Sequence, residues 1–264
     1  MTNPTIGIDI GGTRIKAALV NESGRIVERM IEPSSVGGDY PTMLSHLETI
    51  VHHLSAESEY PVTAVGLSVA GLIDKSRRRV LTAPNCPALC DSPLADDLSR
   101  IIELPIAMDN DANMMALGEG TYGATKGCGH FIAMTIGTGI GGAVVSEGRI
   151  IRGINGGGGE LGHIPISSGG PLCGCGAYGC LEAYIGRSGI RRYITDHIPR
   201  YESLHLPEIS KLADAGQVDA IKVFEYIGRT LAICLAGLVN IFNPEVIVIG
   251  GGVALAGDVL FEPL

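Results

Sequence analysis

One local plan occurs twice in this chain, and that repetition constrains its fold more than any other feature. Residues 5–29 read as an apolar strand (TIGIDI), a Gly-Gly turn, a second apolar strand (Ile15 to Val20), an Asn-Glu-Ser-Gly turn and a third strand, Arg25 to Glu28. Residues 131–153 repeat it as strand FIAMTI, glycine turn GTGIGG, strand AVVSE, a turn at Gly148 and strand RIIRG. Ile10-Gly11-Gly12-Thr13 falls on Ile136-Gly137-Thr138-Gly139, Ala17-Ala18-Leu19 on Ala143-Val144-Val145, and Gly24-Arg25-Ile26 on Gly148-Arg149-Ile150. The offset drops from 126 to 124 along the match, which shortens the first loop of the second copy by two residues. Solenoid repeats run about 20–50 residues, so the spacing points to duplicated domains.

The intervening segments alternate helix and strand signals. Tyr40 to Ser58 has helical spacing of apolar residues, Val62 to Val69 reads as a buried strand, and Leu94 to Ile102 as an amphipathic helix. The strand IAMDN leads into a helix whose start lies at Asn110-Asp111. Asp219 to Asn243 reads as a long helix stopped by Asn243-Pro244, followed by strand EVIVIG and the turn Gly250-Gly251-Gly252. The expected fold is α/β and two-lobed, with central mixed sheets and both glycine turns facing one cleft. Residues 1–111 form the expected first lobe and 112–264 the second.

Charge and cysteine usage narrow the function. With Lys+Arg at 19 against Asp+Glu at 28, the net charge of −9 argues against nucleic-acid binding, which draws on basic patches. The opening MTNPTIGIDIGG has no basic stretch followed by an apolar one, so a cytoplasmic location is expected. Leu231 to Phe242 is too short to span a bilayer and reads as a buried helix, and no membrane partner is expected. Of seven cysteines, Cys173, Cys175 and Cys180 crowd into one Gly-rich loop, which in a reducing compartment favours a metal over disulfides.

Several residue groups carry potential chemistry. Asp9-Ile-Gly-Gly-Thr13 joins a carboxylate to a turn whose N–H groups can face an anion; Thr13 adds a hydroxyl and Lys16 a charge. The alternative is a plain hairpin corner. Gly137-Thr-Gly-Ile-Gly-Gly142 satisfies the dinucleotide pattern GxGxxG, but that pattern must open a helix and here opens a β-hairpin, so a phosphate-gripping or purely structural turn remains. Gly250–Gly252 is a third place where backbone can approach a ligand. Asp111 offers either a general base or a helix cap. His163, Cys173, Cys175 and Cys180 form a Cys3His set suited to structural zinc, with free thiols or a disulfide as the alternative. Glu160 and Glu182 flank this loop and could clamp sugar hydroxyls, or be solvated acids.

Taken together, DIGGTRIK, APN (83–85), NDAN (110–113), TIGTGIGG, ELGH with CGCGAYGC, and GGGV resemble the ROK family of sugar kinases and regulators, within the sugar kinase, Hsp70 and actin superfamily. The resemblance runs from residue 5 to about 255. It implies duplicated actin-like (ribonuclease H-like) ATPase domains and an ATP-dependent kinase that phosphorylates the 6-hydroxyl of a hexose. Glucose is the favoured sugar; N-acetylmannosamine, N-acetylglucosamine and allose are alternatives. Asp9, Gly11, Gly12, Thr13 and Lys16 match the first phosphate motif, near the nucleotide's Mg2+. Gly137, Thr138 and Gly139 match the second, and Gly250, Gly251 and Gly252 the backbone near the adenosine. Asp111 matches the catalytic base, and Asn85, Asn110, Glu160, His163 and Glu182 the sugar contacts, with His163 also a zinc ligand. A homodimer is implied. Gly186 stands where the family often has serine. The family continues past GGGV into a further strand and helices, so the C-terminal end is expected to be missing here. A regulator would carry an N-terminal helix-turn-helix, for which the strand at residue 5 leaves no space.

Overall fold

The computed structural model describes residues 3–34 and 38–264. The chain divides into two compact units, Met1–Gly118 with Arg152–Gly158, and Glu119–Ile151 with Gly159–Leu264.

In the first unit, β1 (Thr5–Ile10), β2 (Arg14–Val20) and β3 (Ile26–Pro33) form an antiparallel meander. Helix α1 (Tyr40–Ala56) then crosses to β4 (Ala64–Val69), which lies parallel to β1. A small hairpin of β5 (Leu72–Ile73) and β6 (Val80–Thr82), helix α2 (Leu94–Ile102), β7 (Ile106–Asn110) and helix α3 (Asp111–Tyr122) follow. The sheet order is β3-β2-β1-β4-β7. Strand alternation sends Ile6, Ile8, Ile10, Val65, Leu67 and Val69 into one core with Met43, Leu47, Ile50 and Leu54 of α1 and Leu94 and Leu98 of α2. Burying each such side chain contributes about 1.5–3 kcal/mol. The same alternation turns Asp9 and Ser68 to the opposite face. Helix α1 begins where Asp39 accepts the Thr42 N–H at 3.0 Å.

The second unit repeats the plan. Strands β8 (Phe131–Ile136), β9 (Ile140–Ser146) and β10 (Arg149–Ile150) form an antiparallel meander. A 3-10 turn at Leu161–His163 follows, then helices α4 (Leu181–Ile185), α5 (Arg187–His197), α6 (Leu206–Asp214) and α7 (Val218–Phe242). Strand β11 (Val246–Gly250) and the short helix α8 (Asp258–Phe261) come last. The order is β10-β9-β8-β11, with β11 parallel to β8 as β4 is to β1. The two matched turn glycines, Gly24 and Gly148, share left-handed backbone at φ 78° and 69°.

Helix α7 is the one helix among the described residues long and apolar enough to cross a bilayer. Val223, Phe224, Ile227, Leu231, Leu235 and Leu238 recur at helical spacing and pack with Ile132, Met134 and Ile136, so α7 is the core helix of its unit. Its other face leaves Ile233 and Ile241 exposed, so the segment from Leu231 to Phe242 is buried on one side only. The helix stops at Asn243, left-handed at φ 43°, just before Pro244.

Candidate functional site

In the first unit, the candidate polar groups gather toward the carboxyl ends of the parallel strands, a common place for sites in α/β sheets. Pairing sets Lys16, Asp9, Ser68 and Asp109 in one row across β2, β1, β4 and β7. Asp9 Oδ1 accepts the Ser68 hydroxyl at 2.9 Å and Oδ2 lies 3.5 Å from Lys16 Nζ, so the carboxylate is oriented while both partners of the ion pair stay half-exposed. Gly12 lies so close to Asn85 that a Cβ there would come within 2.9 Å of the Asn85 carbonyl oxygen. The glycine turn Gly11–Thr13 and the APN loop are therefore packed backbone to backbone, and residue 12 has to lack a side chain.

The NDAN segment builds the start of α3. Asn110 Oδ1 accepts the N–H groups of Ala112 at 2.9 Å and Asn113 at 3.4 Å, and Asn110 Nδ2 donates to the Gly71 carbonyl at 3.0 Å. Asn110 is thus the helix cap with both ends of its amide engaged, and Asp111 is the first residue of the helix. Asp111 Oδ1 also accepts the Ala112 N–H at 3.0 Å.

Asp109 and Arg152 escaped the sequence reading. Asp109 is 3% exposed, and its Oδ2 accepts Arg152 Nε at 2.9 Å and Nη2 at 2.7 Å. Its Oδ1 accepts Asn113 Nδ2 at 2.8 Å and the Asn110 N–H at 2.9 Å. Every acceptor direction of this buried carboxylate is used, as burial of a charge requires. The signal available in sequence was an acid at an otherwise buried strand position.

In the second unit, the GTGIGG turn opens strand β9 rather than a helix, so the dinucleotide reading fails as expected. Gly137 N–H bonds Gly139 O at 2.9 Å to close the turn. Glu182 Oε2 accepts the Ile140 N–H at 2.7 Å, and a Cβ on Gly139 would lie 2.4 Å from that oxygen. One predicted sugar contact therefore braces the second glycine turn. Glu160, by contrast, is exposed, with no side-chain partner among the described residues. The Gly250–Gly252 turn rests on the end of β8, where Val253 N–H bonds Ile136 O at 3.2 Å. Gly137 and Gly252 both line a cavity of about 650 Å³, together with Arg187, Ile190, Ile194 and Val253.

His163, Cys173, Cys175 and Cys180 come together in this unit, one ligand atom of each lying within 4.8 Å of every other. Cys175 Sγ and Cys180 Sγ are 3.7 Å apart, and Cys173 Sγ is 3.6 Å from His163 Nδ1. A zinc tetrahedron with Zn–S bonds of about 2.3 Å and Zn–N of about 2.0 Å has edges of about 3.5–3.8 Å, so the donor set fits that ion. The three cysteines come from a loop whose turn is closed by Cys173 N–H to Ala177 O at 2.8 Å, His163 comes from the 3-10 turn before it, and the cysteines are unbridged. Burial pushes the Cys180 thiol up to about 12 and also raises Cys173, whereas the Ala177 N–H holds the exposed Cys175 below the ordinary thiol range. The other cysteines do not assemble into a second metal group among the described residues: Cys86 and Cys234 are buried, Cys128 is half-buried and Cys90 is exposed.

The ROK family model matches residues 5–264. This chain belongs to the ROK family. Among ROK proteins it is similar to the glucokinase of Thermotoga maritima, 35% identical over 271 residues that cover 98% of this chain and 85% of the relative. A solved ROK family glucokinase from Streptomyces griseus, in complex with glucose and AMPPNP, superposes at TM-score 0.84 and 33% identity, covering 99% of this chain and 87% of that one. The xylose repressor of Bacillus subtilis is 31% identical over 252 residues, 93% of this chain and 63% of the repressor. The α/β fold with duplicated mixed sheets is the one the ROK resemblance implied.

Proposed function

We propose that this protein is an ATP-dependent hexose kinase that transfers the γ-phosphoryl group to the 6-hydroxyl of glucose. The observation that carries the reading is the arrangement at NDAN: Asn110 supplies the cap of α3 through Ala112 and Asn113, and Asp111 stands as the first helical residue, its Oδ1 accepting the Ala112 N–H at 3.0 Å. In this reading Asp111 accepts the proton of the sugar 6-hydroxyl, the freed oxygen forms a bond to the γ-phosphorus, and the bond to the β,γ-bridging oxygen breaks to release ADP. Asn85, Asn110, Glu160, His163 and Glu182 orient the sugar, and the free carboxylate of Glu160 supports that role best. The N–H groups of Gly11 and Gly137 close their own turns, which leaves those of Gly12, Thr13, Thr138 and Gly139 to face the phosphates in this reading, with Asp9, Thr13 and Lys16 beside the first turn. Magnesium on the nucleotide supplies neutralisation of the charge that develops on the phosphoryl oxygens. The adenosine belongs in the second unit's cavity against Gly250–Gly252, a placement supported by Gly137 and Gly252 in its wall.

His163, Cys173, Cys175 and Cys180 would hold a structural zinc, which with four protein ligands would have no open position and would shape the loop that leads into Glu182 at the start of α4. Seven unbridged cysteines fit the reducing cytoplasm. A homodimer is the assembly we propose, to be checked by light scattering. The test of the activity is ADP release with ATP and magnesium across glucose, mannose, allose, N-acetylglucosamine and N-acetylmannosamine, beside Asp111→Ala. Glucose-dependent turnover that disappears in the variant is expected. Turnover with another sugar would replace glucose, and none with any sugar would move the reading to a sugar-binding regulator.

A further inference from the structure

We propose that Arg187 is the cation that receives the phosphate tail of the nucleotide in the second unit's cavity, and so sets the preference for a phosphorylated donor over a bare nucleoside. The proposal rests on the nucleotide reading given above and names a residue that none of the glycine motifs contains.

Helix α5 carries three arginines, and the structure separates their roles. Arg191 donates from Nη1 to the Leu204 carbonyl at 3.1 Å and also to the Glu202 carbonyl. Arg192 donates from Nη2 to the Ala183 carbonyl at 2.7 Å. Arg191 is spent on the segment before α6 and Arg192 on helix α4. The Arg187 guanidinium has no hydrogen bond or ion pair among the described residues. It is also the arginine tied to the glycine turn, since its backbone N–H donates to the Thr138 carbonyl at 3.1 Å.

The cavity supplies the second line of argument. Arg187 lines it beside Gly137 of the turn and Gly252, and none of the residues in its wall is acidic. In a chain of net charge −9, a cavity that holds arginines and no carboxylate is the reverse of the average surface. Ile190, Ile194, Leu206 and Val253 make much of the wall apolar, which suits a flat base, and Ser188 and His205 are its neutral polar members, so no anion in the wall competes for the guanidinium. Five N–H donors in a planar fork, left unpaired next to a turn of backbone N–H groups, match phosphate oxygens better than any neutral group.

The test is calorimetric titration of the full chain with ADP and with adenosine, for the unaltered protein, Arg187→Ala and Arg187→Lys, with thermal unfolding of each as a check on folding. Loss of one charge-assisted contact is expected to weaken ADP about ten- to a hundredfold in R187A while adenosine changes by less than about twofold. R187K should recover part of the ADP affinity, because a lysine keeps the charge without the fork. An equal loss for ADP and adenosine would show that Arg187 only shapes the cavity, and no loss for either would show that it does not meet the ligand; both outcomes overturn the proposal alone. If the unaltered protein binds neither ligand, the nucleotide reading itself fails and takes this proposal with it.

Discussion

Glu182 Oε2 accepts the backbone N–H of Ile140 at 2.7 Å, so a carboxylate two residues after the last cysteine of the metal loop holds the end of the second glycine turn. The Cys3His loop and the GTGIGG turn are therefore mechanically one object within the second unit. In Glu182→Ala, the Ile140 N–H loses its partner in a part-buried position, which costs about 1–3 kcal/mol. We expect a lower melting temperature and a raised KM for ATP as well as for the sugar. A variant in which only the sugar KM rises would separate Glu182 from the turn.

Removing the metal should act on the same object. Each thiol gives up its proton on binding, so the ion has to outweigh the burial that raises Cys173 and Cys180. Elemental analysis of protein purified without chelator should find one zinc per chain, and Cys175→Ser should lower that figure and the melting temperature together. Well under one zinc in the unaltered protein would remove the metal from the account.

How much of this was legible in the sequence depended on range. The glycine turns, the Cys3His loop and the repeated meander are local patterns, and each could be read from residues within about 25 positions. Strand β3 was read as ending at Glu28 but runs to Pro33, because its side chains are mostly exposed and carry no apolar alternation, while pairing with Arg14–Val20 defines it. The Asp109–Arg152 pair joins residues 43 apart, and Arg152–Gly158 folds with the first unit although the chain has by then built three strands of the second. No periodicity reports such a return. The split between Asn110 as cap and Asp111 as helical residue turns on one position, finer than helix signals resolve.

Asp74 should make part of the first unit's stability acid-sensitive. Burial alone would raise its carboxyl, but the Ser76 hydroxyl and the N–H groups of Arg79, Arg78 and Ser76 outweigh it and hold it below the ordinary value. A folded-state value below the unfolded one, about 3.9, stabilises the protein above that pH, and the contribution fades as pH falls through the folded value. Denaturant unfolding of Asp74→Asn and the unaltered protein should differ at pH 7 and converge toward pH 3. A constant difference would assign the effect to turn geometry and not to charge.

Gly12→Ala tests the packing of the first glycine turn on the APN loop. The new Cβ would meet Asn85 backbone at 2.9 Å, and backbone cannot swing aside as a flexible side chain would. Overpacking of this kind costs about 1–3 kcal/mol. Displacement of Asn85 should raise the glucose KM several-fold, whereas an unchanged KM would mean that Asn85 does not contact the sugar.

The adjacent residues Asn110 and Asp111 allow cap and base to be separated by substitution. Asn110→Ala removes acceptor contacts to Ala112 and Asn113 and the donor to Gly71, so it should destabilise the protein by about 1–2 kcal/mol. Asp111→Asn keeps the shape of the side chain and most of its hydrogen bonding but removes the proton acceptor. Its unfolding free energy should change by less than about 0.5 kcal/mol, while kcat falls about 10²- to 10⁴-fold at an unchanged glucose KM. Unfolding curves and steady-state rates for the two variants should therefore cross: the less stable one keeps more activity. If Asp111→Asn lost stability and kept its rate, the carboxylate would be a structural part of the helix start, and the proton would have to leave by another route.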